Sequence, residues 1–156
     1  MISNPRDLQL ALLGELLFVE RRLADAVLRD LTTAVRDDEL QALLEQHQGE
    51  TRGHVERIET AFRRLEAAAT SNLSRSFESA VAQHAEQSGS VSDPRLADVL
   101  HARAALHTEH WEMAAYRTVL PLLPGDVAEL LQPSFAEEGE AAKLLVRTID
   151  RLAGGR

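Results

Sequence analysis

The chain has 156 residues, of which 44% are hydrophobic and only 4% aromatic, and its formal net charge is −8. This length is typical of one domain with a sizeable core, so we treat residues 1–156 as a single domain. The acidic charge argues against binding to nucleic acid or to an anionic membrane. Because the chain has no cysteine, it has no disulfides or thiolate metal ligands. The apolar N-terminal stretch contains Asp7 and Glu15, unlike a signal peptide or a membrane span, and we expect a soluble cytoplasmic protein.

The sequence predicts an all-α protein. Leu, Ala, Glu and Arg dominate the composition, and no stretch alternates as a β-strand does. Asn4-Pro5, Asp37 and Asp93-Pro94 are typical of helix starts. The predicted helices cover residues 5 to about 31, 37 or 38 to about 69, 75 to 87, 94 to about 120, and 126 to the C-terminal end.

The connections between these helices predict the fold. Short links join the first long helix to the second and the third to the fourth, whereas more than twenty residues separate the two pairs. Two antiparallel hairpins joined by a long crossover that contains a short helix form a ferritin-like four-helix bundle. The crossover is long enough for the second and third long helices to run parallel. Pro133 lies inside the last helix and is expected to kink it or split off its first turn.

The second long helix carries polar residues on its apolar stripe. At about 100° per residue, Leu40, Leu44, Ile58 and Phe62 share one face of this helix. His47, Glu50 and His54 fall on the same face, where leucine would be expected.

Each of the other long helices also carries one glutamate on its apolar face. These residues are Glu20, Glu109 and Glu138, with Tyr116 on the face of the third long helix and Glu112 at its edge. Counted at about 1.5 Å per residue from the helix ends, the glutamates of each hairpin are almost level. We therefore expect four carboxylates, those of Glu20, Glu50, Glu109 and Glu138, to meet in the core.

Several uncompensated buried carboxylates would cost several kcal/mol each, so protons, arginines or metal cations must neutralise them. Most arginines fall outside the predicted faces. Two divalent cations match the charge of four carboxylates, and His54 and His47 can complete their coordination. Oxygen and imidazole ligands favour iron or manganese, and zinc can occupy the same cage in a purified sample. The remaining histidines, at positions 84, 101, 107 and 110, are expected to be solvated.

Four segments resemble the YciE/YciF group of bacterial stress-associated, ferritin-like proteins. They are LLFVERRL around Glu20, HQGETRGHVERIETAF from His47, EHWEMAAYRTVL from Glu109 and FAEEGEAAKLL around Glu138. The resemblance extends from about residue 8 to residue 152.

This resemblance implies a homodimer with a dinuclear metal site and a role linked to stress. The implied ligands are Glu20, Glu50, His54, Glu109 and Glu138. Ferritin-like sites commonly carry a further ligand one turn after the glutamate of the fourth helix, where this chain has Ala141 and Ala142. The second metal ion therefore lacks a ligand unless Glu112 or water replaces it.

Three classes of function remain open at this stage. The metal centre can react with peroxide or oxygen, with Tyr116 as a nearby proton or electron donor. Alternatively, the protein sequesters or senses metal without turnover. The third class is a metal-free bundle that acts as an interaction scaffold.

Overall fold

The computed structural model describes residues 2–154, which form helices and connecting loops without a strand. Its elements are α1 (Pro5–Arg22), a π-helical segment (Leu23–Val27), α2 (Leu28–Ala34), α3 (Asp38–Arg64), α4 (Arg75–Gly89), α5 (Pro94–Val119), a short 3₁₀ turn (Leu120–Leu122) and α6 (Gly125–Gly154). The first three elements follow one another without a loop and form the first long helix of a bundle. None of the helices between residues 2 and 154 combines the length and the apolar character that crossing a membrane requires.

Side-chain contacts show the directions of the helices. Towards one end of the bundle Arg64 donates to the carbonyl of Asp126, and towards the other Arg151 contacts Asp37, so α3 and α6 are antiparallel. The turn at residues 120–124 makes α5 and α6 antiparallel too. Consequently α3 and α5 run parallel, as predicted, and α4 lies in the crossover that connects them.

The predicted helix starts are confirmed by their caps. Asn4 and Asp37 each accept a hydrogen bond from the backbone N–H three residues later, and Asp93 accepts one from Arg95. Side-chain acceptors at these positions satisfy backbone donors that have no partner within the helix. These caps therefore define where the three long elements α1, α3 and α5 begin.

The predicted end of α3 at residue 69 is wrong, because the helix ends at Arg64. Glu66 has a φ of 50°, Glu66 N donates to Arg63 O, and Ala67 N donates to Phe62 O. This is the hydrogen-bond pattern of a Schellman motif, which stops a helix at a left-handed residue. Glycine usually occupies that position, so a glutamate there does not signal a helix end.

Two further features concern the other long helices. The first long helix contains the π-helical turn Leu23–Val27, and Gln48 Nε2 donates to the carbonyl of Ala24 at 2.9 Å. The last helix continues through Pro133 without splitting off its first turn. Pro133 is exposed, so its ring faces solvent, away from the bundle core.

The loop after α3 packs tightly on α1 at Gly14. Asn72 N donates to Gly14 O at 2.8 Å, and Asn72 Nδ2 donates to Ala11 O. A Cβ at position 14 would lie 2.8 Å from Asn72 Cγ and from Thr70 Oγ1. Glycine is thus required for the loop to approach this closely.

The core consists of two apolar clusters at different heights along the bundle. One includes Leu13, Leu17, Ile58 and Leu131. The other includes Leu23, Leu40, Ala105 and Leu145. In α1, α3, α5 and α6 buried polar residues lie between the two clusters. The middle of the bundle is therefore a polar layer between two apolar ones.

Replacing Glu66 by glycine should stabilise the protein. A residue other than glycine in the left-handed region costs about 1–2 kcal/mol, part of which the greater entropy of unfolded glycine offsets. Because the relief of strain exceeds the entropy cost, we expect Glu66→Gly to raise the free energy of unfolding by about 1 kcal/mol in urea titrations. Glu66→Ala, which keeps the strain, is the matched control, and equal stability of both variants would contradict the Schellman assignment.

Candidate metal centre

The polar layer combines six ionisable side chains from four helices. Each of them is 3% exposed or less. They are Glu20 on α1, His47 and His54 on α3, Glu109 and Glu112 on α5, and Glu138 on α6. All six were candidate ligands in the sequence, and the structure brings them together.

Their donor atoms form two groups. His47, Glu109, Glu112 and Glu138 each offer one atom within 4.8 Å of the others, and so do Glu20, His54 and Glu138. Glu138 belongs to both groups. A carboxylate shared by two clusters of oxygen and nitrogen donors is the arrangement of dinuclear sites in bundle cores.

Glu138 is shared because its two oxygens face different histidines. Its Oε1 lies 2.8 Å from His54 Nδ1, and its Oε2 lies 3.5 Å from His47 Nε2. The same histidine nitrogens approach a second carboxylate each, with His54 Nδ1 at 3.2 Å from Glu20 Oε2 and His47 Nε2 at 3.1 Å from Glu109 Oε1. Each imidazole therefore places one nitrogen between two carboxylates.

Many of these buried atoms have no aligned hydrogen-bond partner. They are His47 Nε2, Glu109 Oε2 and both carboxylate oxygens of Glu112 and of Glu138. Several lie close to another polar atom but at angles that hydrogen bonds do not adopt. Buried polar atoms are normally satisfied, so a cluster of unsatisfied donors and acceptors requires an explanation. Donor atoms that converge on a common point suit a cation, because a cation is bound by their lone pairs and requires no shared hydrogen.

No arginine or lysine neutralises the layer within the part of the chain that the structure describes. Salt bridges of arginine and lysine involve other carboxylates, and Arg57 pairs with Glu137 at 2.7 Å. Four buried carboxylates thus face only two imidazoles. The residues present fit divalent cations in number, type and charge.

Burial and crowding shift the pKa values of the layer. Burial raises the pKa of Glu112 well above its ordinary value, with the carboxylates of Glu138, Glu20 and Glu109 adding to the effect. Burial also raises the pKa of Glu20, and it raises that of Glu138 to about 7. Free of cations, the layer therefore keeps protons on carboxyl groups that are ionised in water.

The pKa values of the two histidines are raised, which favours the charged imidazolium form. Burial acts to lower the pKa of His54, but the close carboxylates of Glu138 and Glu20 outweigh burial and raise that pKa to about 10. For His47, burial likewise opposes the shift, and contact with Glu109 raises its pKa well above the ordinary value. Both imidazoles thus act as internal cations in the absence of metal.

Tyr116 lies at the edge of the layer, as its position on the helix face predicted. Its hydroxyl donates to Glu20 Oε1 at 2.7 Å and is fully buried. Burial, together with the charge of Glu20, raises the pKa of this phenol well above its ordinary value. The phenol therefore remains protonated and orients one oxygen of Glu20.

Glu50 is the one candidate ligand that the structure does not bring into the cage. Its side chain is 30% exposed, and it contacts the outer nitrogen of His47. At about 100° per residue it lies about 80° from the centre of the buried face, which Leu40 and Ile58 mark. The expectation that Glu50 points into the core is corrected accordingly.

Glu112 shows the opposite difference. It was placed at the edge of its helix face, yet it is completely buried. The apolar residues Val99, Leu106 and Met113 shift the centre of this face when it is drawn from the sequence, but all three are only half-buried. The true centre of the face runs through Ala105 and Tyr116, close to Glu112.

Two further contacts of the site were not predicted from the sequence. Glu137 does not lie on the apolar stripe of α6, yet its Oε2 is 2.9 Å from His54 Nε2. His101, expected to be solvated, is buried and contacts His84 of the crossover helix at 3.0 Å. No periodicity reveals either contact, because each depends on how neighbouring helices pack.

Comparisons with known proteins agree with this architecture. A family model described as "Domain of unknown function (DUF892)" matches residues 4–154. The Escherichia coli stress protein YciF superimposes with a TM-score of 0.91 at 22% identity, over 99% of this chain and 100% of that one. YcfI of Rhodopseudomonas palustris gives 0.89 at 23% identity, over 92% and 94% of the two chains.

A third structure is a two-domain protein from Anabaena variabilis with DJ-1/ThiJ/PfpI-like and ferritin-like domains. It matches with a TM-score of 0.69 at 19% identity, over 99% of this chain and 39% of that one. The search of curated proteins finds no match. At these identities the structural likeness establishes the fold, which is ferritin-like, and the predicted resemblance to the YciE/YciF group is confirmed.

Metal-free protein should lose stability as the pH rises. A group whose pKa is raised by folding stabilises the protein fully below its unfolded pKa, and this contribution is lost as the pH rises through the folded pKa. The stabilising contribution of Glu138 is lost between pH 4.5 and about pH 7, and that of His54 between pH 6.5 and about pH 10. We expect the urea midpoint of chelator-treated protein to fall across this range.

Glu112→Gln provides the control for this prediction. It removes one of the crowded carboxyl groups whose pKa is raised, so the decline with pH should become shallower. Surface acids with lowered pKa values, such as Asp37, titrate below this window. A midpoint that rises between pH 5 and 9 would contradict the prediction.

Proposed function

The chain belongs to the DUF892 family, and from this premise we propose that it is a ferritin-like protein that binds two divalent metal ions in the polar layer of its bundle. The observation that carries the proposal is the buried cage itself. Four carboxylates and two imidazoles supply two groups of donor atoms, many of these atoms lack a hydrogen-bond partner, and no arginine or lysine among the described residues compensates the carboxylates.

The first ion would be held by His47, Glu109, Glu112 and Glu138. Four protein ligands are available here although Ala141 and Ala142 replace the expected ligands of the last helix, because the buried Glu112 supplies a carboxylate. The second ion would be held by Glu20, His54 and Glu138. Three protein ligands leave coordination positions for water or an external molecule at this second site.

Charge and donor type support iron or manganese. Two divalent ions balance the four carboxylates of the cage, which then no longer need protons. Oxygen donors with imidazole and without thiolate are suited to iron and manganese, although zinc can occupy such a cage in purified protein. Electrostatic balance thus accounts for side chains that a metal-free core would not accommodate as anions.

A redox-active ion bound here would supply electron transfer to peroxide or oxygen. The protein's own contribution is to exclude water, orient Glu20 through Tyr116, and hold a protonated phenol beside the second site. Since YciF is described as a stress protein, we propose a role in the stress response for this chain as well.

We further propose that the protein is a cytoplasmic homodimer that binds neither nucleic acid nor membranes. The dimer rests on the family resemblance, and the absence of nucleic-acid and membrane binding rests on the charge of −8. Sedimentation at micromolar concentration tests the dimer, and a monomer there would exclude it.

Chelator-stripped protein should bind two equivalents of Mn²⁺ and become more stable. An ion at a hundredfold excess over its Kd adds about 2.7 kcal/mol per site, so the thermal midpoint should rise by about 5–10 °C for each site. Calorimetric titration gives the stoichiometry, and thermal unfolding gives the shift. Peroxide consumption by iron-loaded protein then distinguishes a reactive centre from a sequestering one.

Glu138→Gln should weaken both sites, because each oxygen of Glu138 faces a different group. Glu140→Gln is the matched control, since Glu140 is exposed, pairs with Lys143 and lies outside the cage. Wild-type protein that binds no metal and shows no thermal shift would exclude the metal centre. That result would leave the interaction scaffold as the function.

A further inference from the structure

Two half-exposed carboxylates contact the outer nitrogens of the cage histidines. They are Glu50 and Glu137, whose side chains are 30% and 33% exposed. Both lie along the same surface groove between α3 and α6. Neither belongs to the two groups of donor atoms, so the proposed metal centre leaves them without a role.

His47 presents its Nε2 to the cage and its Nδ1 to Glu50. The Nε2 atom lies 3.1 Å from Glu109 Oε1, whereas Nδ1 forms a long hydrogen bond of 3.5 Å with Glu50 Oε2. The other oxygen of Glu50 accepts from Gln46 Nε2 at 2.9 Å. Both oxygens of Glu50 are thus engaged outside the cage.

His54 is oriented the opposite way. Its Nδ1 lies between Glu138 and Glu20, whereas its Nε2 is 2.9 Å from Glu137 Oε2. Glu137 is itself held by Arg57, whose Nη1 donates to Glu137 Oε2 at 2.7 Å. The Arg57 Nη1 also donates to Ser134 Oγ at 3.0 Å, which anchors the ion pair to α6.

We propose that Glu50 and Glu137 are positioning residues that select which nitrogen of each histidine binds metal. An imidazole binds a cation through a lone pair on one nitrogen and keeps a proton on the other, and a carboxylate that accepts this proton fixes the tautomer and the ring orientation. Glu50 therefore leaves Nε2 of His47 free for the first ion, and Glu137 leaves Nδ1 of His54 free for the second. The two ions are bound through opposite nitrogens.

This inference rests on the proposed metal centre and gives Glu50 a different role from the one expected from sequence. A ligand role would require the Glu50 side chain to leave Gln46 and His47 and enter a layer already occupied by four carboxylates. As a positioning residue, Glu50 needs no movement. The exposure of both carboxylates also means that their replacement leaves the apolar core intact.

The test is nitrogen NMR of histidine-labelled protein loaded with Zn²⁺, which is diamagnetic. We expect two zinc ions per chain, with His47 bound through Nε2 and protonated at Nδ1, and His54 bound through Nδ1 and protonated at Nε2. The exposed His107 and His110 provide reference signals that zinc should leave unchanged. Two bound zinc ions with both histidines coordinated through the same type of nitrogen would overturn the inference alone. Absence of bound zinc would overturn the metal centre and this inference together.

Substitution of the two carboxylates provides a second test of the proposal. Glu137→Ala should weaken zinc binding at the Glu20–His54–Glu138 group by about 10–100-fold, as loss of an outer carboxylate partner does elsewhere. Glu137→Gln keeps an oxygen acceptor and should recover part of the affinity. Glu50→Ala and Glu50→Gln should behave in the same way at the other group, and Glu140→Ala should match wild type. Affinities are measured by competition with a chelator, at a temperature where circular dichroism shows every variant folded. Unchanged zinc affinity and unchanged histidine tautomers in both alanine variants would show a merely structural role and reject the proposal.

Discussion

The architecture depends on the burial of four carboxylates at one level of a helical bundle. Anions in a protein interior cost several kcal/mol each when nothing compensates them, and mutual repulsion adds to that cost. Without metal, raised pKa values favour protons on the carboxyl groups of Glu138, Glu112 and Glu20, and the carboxylates that stay ionised are compensated by the imidazoles of His47 and His54. With metal, two cations would replace those protons. In either state the layer is compensated only if the six side chains stay at the same height.

Contacts outside the layer maintain that height. The buried carboxylate of Asp98 on α5 accepts from the backbone N–H groups of Arg36 and Asp37, which fixes the start of α3. Arg151 of α6 contacts the other side of Asp37 at 2.6 Å, and Arg64 binds the opposite end of α6. Since α3 is attached at both ends, its two histidines meet Glu138 rather than a residue one turn away. Apolar clusters above and below the layer then exclude water from it.

The sequence predicted the bundle well because its signals are local. Helix starts follow from caps at Asn4, Asp37 and Asp93, and five of the seven candidate site residues are buried as helical periodicity predicted. The end of α3 could not be predicted, because Glu66 adopts a left-handed conformation that favours glycine. The same limit applies to the π-helical turn after Glu20, which is stabilised by Gln48 from a different helix.

Within the site, periodicity separated buried from exposed residues only where the face was correctly centred. Glu50 was expected to be buried but is partly exposed, whereas Glu112 was expected at the edge of its face but is buried. The difference at Glu112 arose because half-buried apolar residues shifted the centre of the predicted face on α5. Glu137 was invisible to periodicity altogether, since its contact with His54 arises from the packing of α3 against α6. Residues that would bind an ion can thus be read from a helix face, whereas residues that orient a ligand require the tertiary structure.

Glu138 couples the two halves of the cage. Its Oε1 faces His54 and its Oε2 faces His47, so loss of one proton from this carboxyl group affects both groups of donor atoms. An ion bound at one group would displace that proton and would leave the other oxygen of Glu138 ionised for the second group. A single glutamate on α6 therefore links the protonation, the charge and the filling of both candidate sites.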